Sequence, residues 1–222
     1  QLNEEILRMG GLVEDAVDQC IIALRERNID LARTIITRDD QIDHLETKIE
    51  KHCLSLFALQ QPLAADLRLI GASLKMLTDL ERIADHASDI AELTIRLAGT
   101  PALAVPNGIF QMAEKTRNML RMALDAFVRQ DTALAEAVCK ADDEVDDMFT
   151  GLVLDRVNVM KADASKVEAS IDMMFIVKYL ERMGDHATNI AEWVIYNTTG
   201  QHGHLQHPEA HPERERLDRE DG

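Results

Sequence analysis

The chain has 222 residues, enough for one large domain or two modest ones, so its length excludes little. Its 24 Lys and Arg residues against 40 Asp and Glu residues give a formal net charge of −16. This charge repels nucleic-acid backbones and anionic lipid headgroups, and it disfavours nucleic acid as a partner. With 5 prolines, 10 glycines and 4% aromatic residues, the sequence has too few turn formers for an all-β sandwich or barrel, and a helical protein is expected.

The cysteines and the hydropathy pattern favour a soluble, cytoplasmic protein. Cys20, Cys53 and Cys139 lie far apart and without Cys-x-x-Cys spacing, so they indicate packed, reduced thiols and neither a disulfide framework nor a structural zinc site. No apolar stretch approaches the roughly 18 residues of a membrane-spanning helix, and the first residues lack the pattern of a signal peptide. We therefore expect no direct insertion into a membrane.

Apolar residues recur at helical spacing along most of the chain. Six helices are predicted, over residues 1–27, 29–60, 62–98, 108–129, 131–160 and 163–198. Asn28 and Asp131 are suited to N-cap the second and fifth helices, and Pro62 suits the first turn of the third. Prolines and glycines mark a linker at 99–107, and the polar segment 200–222 is predicted to be a disordered tail.

The two halves of the chain repeat one pattern. Residues 80–92 align with residues 180–192 at an offset of 100, with nine of thirteen positions identical, where chance gives about one. In the preceding helix, residues 39–43 align with residues 142–146 at an offset of 103. The sequence thus predicts an all-α protein of two tandem, pseudo-symmetric three-helix bundles, over 1–98 and 108–199.

Each half carries a stripe of carboxylates on its third helix. Glu81, Asp85 and Asp89 recur every four residues, as do Glu181 and Asp185, and helical geometry turns them away from the apolar stripe. Like charges at this spacing destabilise a helix by roughly 0.2–0.5 kcal/mol per pair. No basic residue four positions further on relieves the first two acids of the first half. Such a conflict is typical of a site where function overrides stability.

Antiparallel pairing brings more carboxylates to each stripe. If the chain turns back near residue 61, Asp39 and Asp43 come within one turn of Glu81 and Asp85, and the same geometry gathers the equivalent acids of the second half. Such oxygen ligands suit Mg²⁺, Ca²⁺, Mn²⁺ or iron better than a structural zinc. A solvated acidic face is the alternative interpretation. The candidate metal ligands are Asp39, Asp43, Glu81, Asp85, Asp89, Asp142, Asp146, Glu181 and Asp185.

No catalytic apparatus is evident in the sequence. His86 and His186 point off the stripes and are expected to be solvated or partly packed. The Glu-x-x-His pairs of di-iron four-helix oxidases, the Gly-rich phosphate loop, and the G-x-S-x-G and H-E-x-x-H motifs do not occur. Four histidines between 202 and 211 would bind a soft metal only weakly, because ordering a flexible tail costs entropy. The sequence therefore predicts that the protein is not an enzyme.

Three stretches closely resemble the PhoU family of bacterial phosphate-signalling regulators. They are 59–70 (LQQPLAADLRLI), 79–87 (DLERIADHA) and 179–194 (YLERMGDHATNIAEWV), and the resemblance extends over nearly the whole chain up to residue 200. It implies a pair of tandem three-helix bundles, a cytoplasmic protein with no enzymatic activity and no organic cofactor, and a role in restraining the phosphate-starvation response.

The resemblance also implies partners and metals. Proteins of this family communicate between the phosphate-specific ABC transporter and a sensor histidine kinase with its response regulator. The ATPase of the transporter and the kinase are therefore the expected partners, and a homodimer is expected. Family members can carry metal ions, including iron or zinc clusters, on repeated E/D-x-x-x-D motifs. The candidate ligands named above match those motifs, so that Mg, Mn, Fe or Zn is the expected metal.

Two departures from the repeat matter. Asn189 replaces the acid that the first half has at Asp89, so the second metal site is predicted to bind more weakly. The segment around Asp66 and Arg68 has no copy in the second half, and these residues are candidates for a partner contact. A cap and a salt bridge at the start of the third helix would account for them equally well. Two other functions stay open: a carboxylate-bridged metal-dependent enzyme or iron-storage protein, and a structural bundle with solubilising acids.

Overall fold

The computed structural model describes residues 2–59, 63–99 and 104–201. The helices are α1 (Leu2–Glu26), α2 (Ile29–Leu59), α3 (Ala64–Ala98), α4 (Asn107–Arg129), α5 (Thr132–Ala162) and α6 (Val167–Thr199), with a 3₁₀ turn at Ala164–Lys166. The predicted all-α fold is confirmed, and the predicted helix ends lie within four residues of those observed. The proposed role of Pro62 and the tail beyond residue 201 lie outside the described residues.

Side-chain caps account for where three segments begin. Asn28 and Asp131 each accept a hydrogen bond, 3.0 Å long, from the backbone N–H three residues further on, as predicted. Asp163 acts differently, because its carboxylate accepts from the N–H of Ser165 at 3.0 Å and holds a 3₁₀ turn. Helix α6 therefore begins at Val167, later than predicted.

The two three-helix bundles pack side by side. Helix α2 packs on α1 and α3, and α5 packs on α4 and α6. Between the bundles, α3 packs along α6 and α1 along α4, so that these four helices form the centre. Helices α3 and α6 run antiparallel: Arg96, near the end of α3, lies 2.8 Å from Asp172 near the start of α6, and Asp79 lies 2.9 Å from His186 further along both helices.

The buried faces of the two outer helices correspond position by position at the offset of 103. On α2 the buried residues are Ala32, Ile35, Ile42, Ile49 and Cys53, and on α5 they include Ala135, Val138, Val145, Leu152 and Arg156. The duplication therefore extends into the core. All three cysteines are free and buried, as predicted, and burial raises the pKa of the Cys20 thiol to about 12.

Helices α1 and α4 approach closely at one glycine. A Cβ at Gly10 would lie 2.8 Å from Leu124 Cδ2, so the side chain of Leu124 would have to shift for any larger residue. An ion pair between Arg117 and Asp18, at 3.2 Å, supports the same contact. Within the described ranges, none of the helices has both the length and the apolar character needed to cross a membrane.

Candidate functional site

The predicted acids of the first half lie along the seam between α2 and α3, which we call the first seam. One carboxylate oxygen each of Asp39, Asp43 and Asp85 lies within 4.8 Å of the others. Glu81 lies one turn before Asp85 with 20% of its side chain exposed, and Asp89 lies one turn after it with 40% exposed. The structure thus brings the predicted acids together at the edge of the core. The sequence analysis had placed them on a helix face turned away from the core.

This position disfavours ionised carboxylates. Partial burial, followed by the nearby carboxylate of Asp85, raises the pKa of Asp39 to about 6. The same two causes raise the pKa of Glu81 to about 7. Burial also raises the pKa of Asp85 itself. A cation bound among these oxygens would relieve both the desolvation and the repulsion.

Two residues of the first seam were not predicted to belong to the site. Arg82 lies 3.0 Å from Asp85 and 3.4 Å from Glu81, so the stripe has a basic partner three positions before Asp85, although none lies four positions on. Glu46 on α2 also belongs to the seam, because burial and the carboxylates around it raise its pKa. Its position three residues after Asp43, on the same helical face, is the sequence signal from which it could have been found.

The equivalent acids of the second half lie along the second seam, between α5 and α6. Burial, then the carboxylates of Asp146 and Asp185, raise the pKa of Asp142 to about 7, and its Oδ1 is buried without a hydrogen-bond partner. Glu181 is engaged by Lys178, whose Nζ lies 2.6 Å from its carboxylate. Of the described residues, only the three acids of the first seam bring three potential ligand atoms within 4.8 Å.

His86 and His186 lie between the two bundles, and Nδ1 of His86 lies 3.3 Å from Asp89 Oδ2 at the end of the first seam. The ring of His86 stacks on Tyr179 with centroids 5.3 Å apart, and it lies 5.9 Å from the ring of His186. Nδ1 of His186 lies 2.9 Å from Asp79 Oδ1, which also accepts a hydrogen bond from Asn189. These contacts join α3 to α6 and agree with the expectation of partly packed imidazoles.

Asp66 and Arg68 lie in the first two turns of α3. The helix has no side-chain cap at its N-terminus, and Asp66 is exposed there. The guanidinium carbon of Arg68 lies 3.6 Å from where a Cβ of Gly200 would be, next to the end of α6, and its Nε is buried without a hydrogen-bond partner. Partner contact by these two residues stays a prediction.

Comparison with known sequences identifies both bundles. The PhoU domain family matches this chain twice, over residues 6–94 and 109–194. A phosphate-specific transport system accessory protein PhoU homolog of Clostridium acetobutylicum is 40% identical over 201 residues, which cover 90% of this chain and 92% of the relative. The homolog of the same name from Aquifex aeolicus is 37% identical over 209 residues, covering 93% and 95%.

Solved structures agree with the sequence matches. The crystal structure of PhoU from Pseudomonas aeruginosa superposes with a TM-score of 0.87 at 36% identity, covering 90% of this chain and 96% of that one. The phosphate transport system regulatory protein PhoU from Streptococcus pneumoniae gives a TM-score of 0.85 at 27% identity, covering 92% and 96%. With both bundles matched in sequence and in structure, the chain belongs to the PhoU family.

Proposed function

We propose that this chain is a cytoplasmic accessory and negative regulator of phosphate uptake that acts by binding other proteins. The observation that carries the proposal is the double match to the PhoU domain, together with relatives named as accessory proteins of phosphate-specific transport. The proposed partners are the ATPase of the phosphate ABC transporter and a sensor histidine kinase. The chain itself acts as a homodimer.

The first seam is the proposed metal site. Oxygens of Asp39, Asp43 and Asp85 already lie within 4.8 Å of one another, a spacing that one hard cation can bridge. Glu81 and Asp89 flank them and supply further oxygens. Mg, Mn, Fe or Zn ions are the candidates. An ion bound there cancels the repulsion between carboxylates of α2 and α3, so that occupancy stiffens this face and changes its affinity for a partner.

The second seam is the proposed weaker site. Its potential ligands are Asp142, Asp146, Glu181 and Asp185. Lys178 competes with a cation for Glu181, and an amide at Asn189 replaces a carboxylate. Both changes lower the affinity for a multivalent cation.

Deletion of the gene tests the regulatory role. In cells grown in rich phosphate, loss of the protein should derepress phosphate-responsive genes, and a plasmid copy of the wild-type gene should restore repression. Continued repression in the deletion strain would contradict the proposal. An Asp85→Asn copy tests the seam, and an Asp125→Asn copy, changed at an exposed acid of α4, is its matched control.

A binding experiment separates adaptor from enzyme. The affinity of the purified chain for the ATPase subunit should rise with added Mn²⁺ and fall in a chelator, and Asp85→Asn should remove the difference. Steady hydrolysis of phosphate esters or consumption of oxygen by the metal-loaded protein would favour the enzyme alternative instead.

A further inference from the structure

One end of the second bundle has polar residues where the first bundle has an apolar core. This end is where α5 finishes and α4 and α6 begin. Arg156 of α5 stands at the position of Cys53 in α2, and Ser170 of α6 stands at the position of Ile70 in α3. Arg156 is only 8% exposed and Ser170 is fully buried. The two bundles therefore differ at this end, where the second bundle has two side chains that donate hydrogen bonds.

Arg156 carries a charge that no carboxylate of the described residues neutralises. Its Nη1 contacts Sδ of Met173 at 3.8 Å, a weak acceptor, and its Nε is buried without a partner. The hydroxyl of Ser170 is also buried without a partner. A buried cation is costly unless a counter-charge and hydrogen bonds compensate it. The arrangement therefore favours an anion from outside the described chain.

The start of α4 lies at the same place. Gly108 packs so closely on Leu152 that a Cβ would lie 2.8 Å from Leu152 Cδ2. Because α4 and α5 run antiparallel, and Arg156 follows Leu152 by one turn on the buried face, its backbone lies about one turn beyond the start of α4. That helix has no side-chain cap at Pro106 and no acid in its first turn. Ile109 donates its N–H to the Pro106 carbonyl at 3.0 Å, which leaves the N–H groups of Asn107 and Gly108 for an external acceptor.

In the first bundle, the charged side chains at the equivalent end are paired with one another. Glu5 of α1 lies 2.5 Å from His52 and 3.3 Å from Lys48 of α2, so that an acid and its basic partners form a closed set. The second bundle has Gly108 in place of Glu5. It has a buried base at Arg156, where the first bundle has Cys53, and no acid at the position of Glu5.

We propose that Arg156 and the first turn of α4 form a binding site for a small inorganic oxyanion of the phosphate type. The guanidinium, the backbone N–H groups of Asn107 and Gly108 and the hydroxyl of Ser170 donate hydrogen bonds to it. The acids next in sequence to Arg156 and to Met173 do not compete for the guanidinium, because Asp172 is paired with Arg96 at 2.8 Å and Asp155 is exposed. The site is a property of the purified chain and does not depend on the regulatory role proposed above.

Amide NMR spectroscopy of the full chain tests the site. Sodium phosphate is titrated at constant ionic strength against chloride, and the amide signals of residues 107–109 should shift and saturate. Arg156→Gln should weaken the apparent affinity by at least about tenfold, because a charged donor is removed. The matched control is Arg129→Gln, which removes the same charge from an exposed position at the other end of α4 and should bind as the wild type does.

A second variant controls for loss of binding through misfolding. Arg156→Cys introduces the residue that the first bundle has at this position, so it should fold and show the same loss of binding. Sulfate, which has the same shape and donor requirements, should shift the same amides. The proposal is overturned if neither oxyanion moves these signals in the wild type, or if folded Arg156→Cys binds phosphate as tightly as the Arg129→Gln control.

Discussion

The two seams descend from one pattern and differ in charge. Along the first seam the acids are Asp39, Asp43, Glu46, Glu81, Asp85 and Asp89. In the second seam, Phe149 replaces Glu46, Asn189 replaces Asp89, and Lys178 stands where the first half has Thr78. The amine of Lys178 lies 2.6 Å from Glu181 and 5.0 Å from the centre of the Phe149 ring. The second seam thus has a side-chain amine at a position where the first seam has the uncharged Thr78.

The features that the seams share show what the duplication retained. Arg82 and Arg182 stand at equivalent positions and pair with Asp85 and Asp185 at 3.0 and 3.3 Å. The difference in charge therefore comes from the three substitutions and not from the arginines. Because the buried faces of the two bundles still match, a surface seam can lose ligands while the fold is preserved.

The largest expected effect concerns a core position at which the bundles differ. Asp172 of α6, with 3% of its side chain exposed, stands where α3 has Ala72, and it depends on the ion pair with Arg96. Arg96→Ala leaves this carboxylate buried without that pair. The free energy of unfolding should fall by about 3 kcal/mol, the low end for a broken buried pair, because Arg96 is itself exposed. Urea denaturation measures the loss.

The matched variant for that experiment is Asp172→Ala, which installs the residue of the first bundle. It should cost much less than Arg96→Ala, and the double variant should be more stable than Arg96→Ala alone. A double variant in which the two losses simply add would show that the pair is not the cause.

Most of the fold could be predicted from the sequence, because the features that determine it, apolar spacing and helix caps, are local. Apolar spacing identified the six helices found in the described residues, and the caps at Asn28 and Asp131 act within one turn. The start of α6 was missed, since Asp163 favours a 3₁₀ turn through its own hydrogen bond to Ser165. Local spacing does not distinguish that turn from the first turn of a helix.

Only part of the candidate site could be predicted from the sequence. The convergence of Asp39, Asp43 and Asp85 followed from antiparallel pairing, because helix geometry fixes which residues face each other. The contact between Asp79 and His186 depends on how one bundle packs on the other, and no local pattern encodes that packing. The exchange of Cys53 for Arg156 was present in the repeat at the offset of 103, and the comparison of the two buried faces found it.

The next expected effect is on cation binding by the two seams. Asp85→Asn removes a ligand from the group of three close carboxylates and should lower the affinity for Mn²⁺ by roughly tenfold or more. Asp185→Asn, its equivalent in the second seam, should have little effect on the tighter binding step. Electron paramagnetic resonance of free Mn²⁺ during a titration measures both. Equal losses in the two variants would contradict the proposed ranking of the seams.

Replacing two residues of the second seam by those of the first tests the same difference between the seams. Phe149→Glu combined with Lys178→Thr gives the second seam the residues of the first at these two positions and removes the ion pair between Lys178 and Glu181. Mn²⁺ affinity of the second seam should rise severalfold, because one ligand is gained and one competing cation is lost. The measurement is made in the Asp85→Asn background, where the first seam does not mask the gain. An unchanged affinity there would show that other features limit the second seam.

A smaller effect is expected from pH in the presence of a chelator. The folded-state pKa values of Asp39, about 6, and Asp142, about 7, lie above the ordinary value of 3.8, so that the folded state binds more protons between these limits. The free energy of unfolding should therefore fall as the pH rises from about 4 to about 7. Asp142→Asn should flatten this dependence, whereas added Mn²⁺ should oppose the fall. Urea unfolding at a series of pH values measures it, and a rise over this range would contradict the assignment.

The smallest expected effect concerns Gly184, which stands in the second seam where the first has Ala84. A Cβ there would lie 3.2 Å from Asp142 Oδ1 and 3.5 Å from Val145 Cγ1, so the carboxylate must move by a few tenths of an ångström. No hydrogen bond holds that oxygen, and the first bundle accommodates alanine beside the equivalent acid. Gly184→Ala should therefore stabilise the helix by about 0.5–1 kcal/mol in thermal unfolding. A loss of stability would show that Asp142 is held in place by its neighbours.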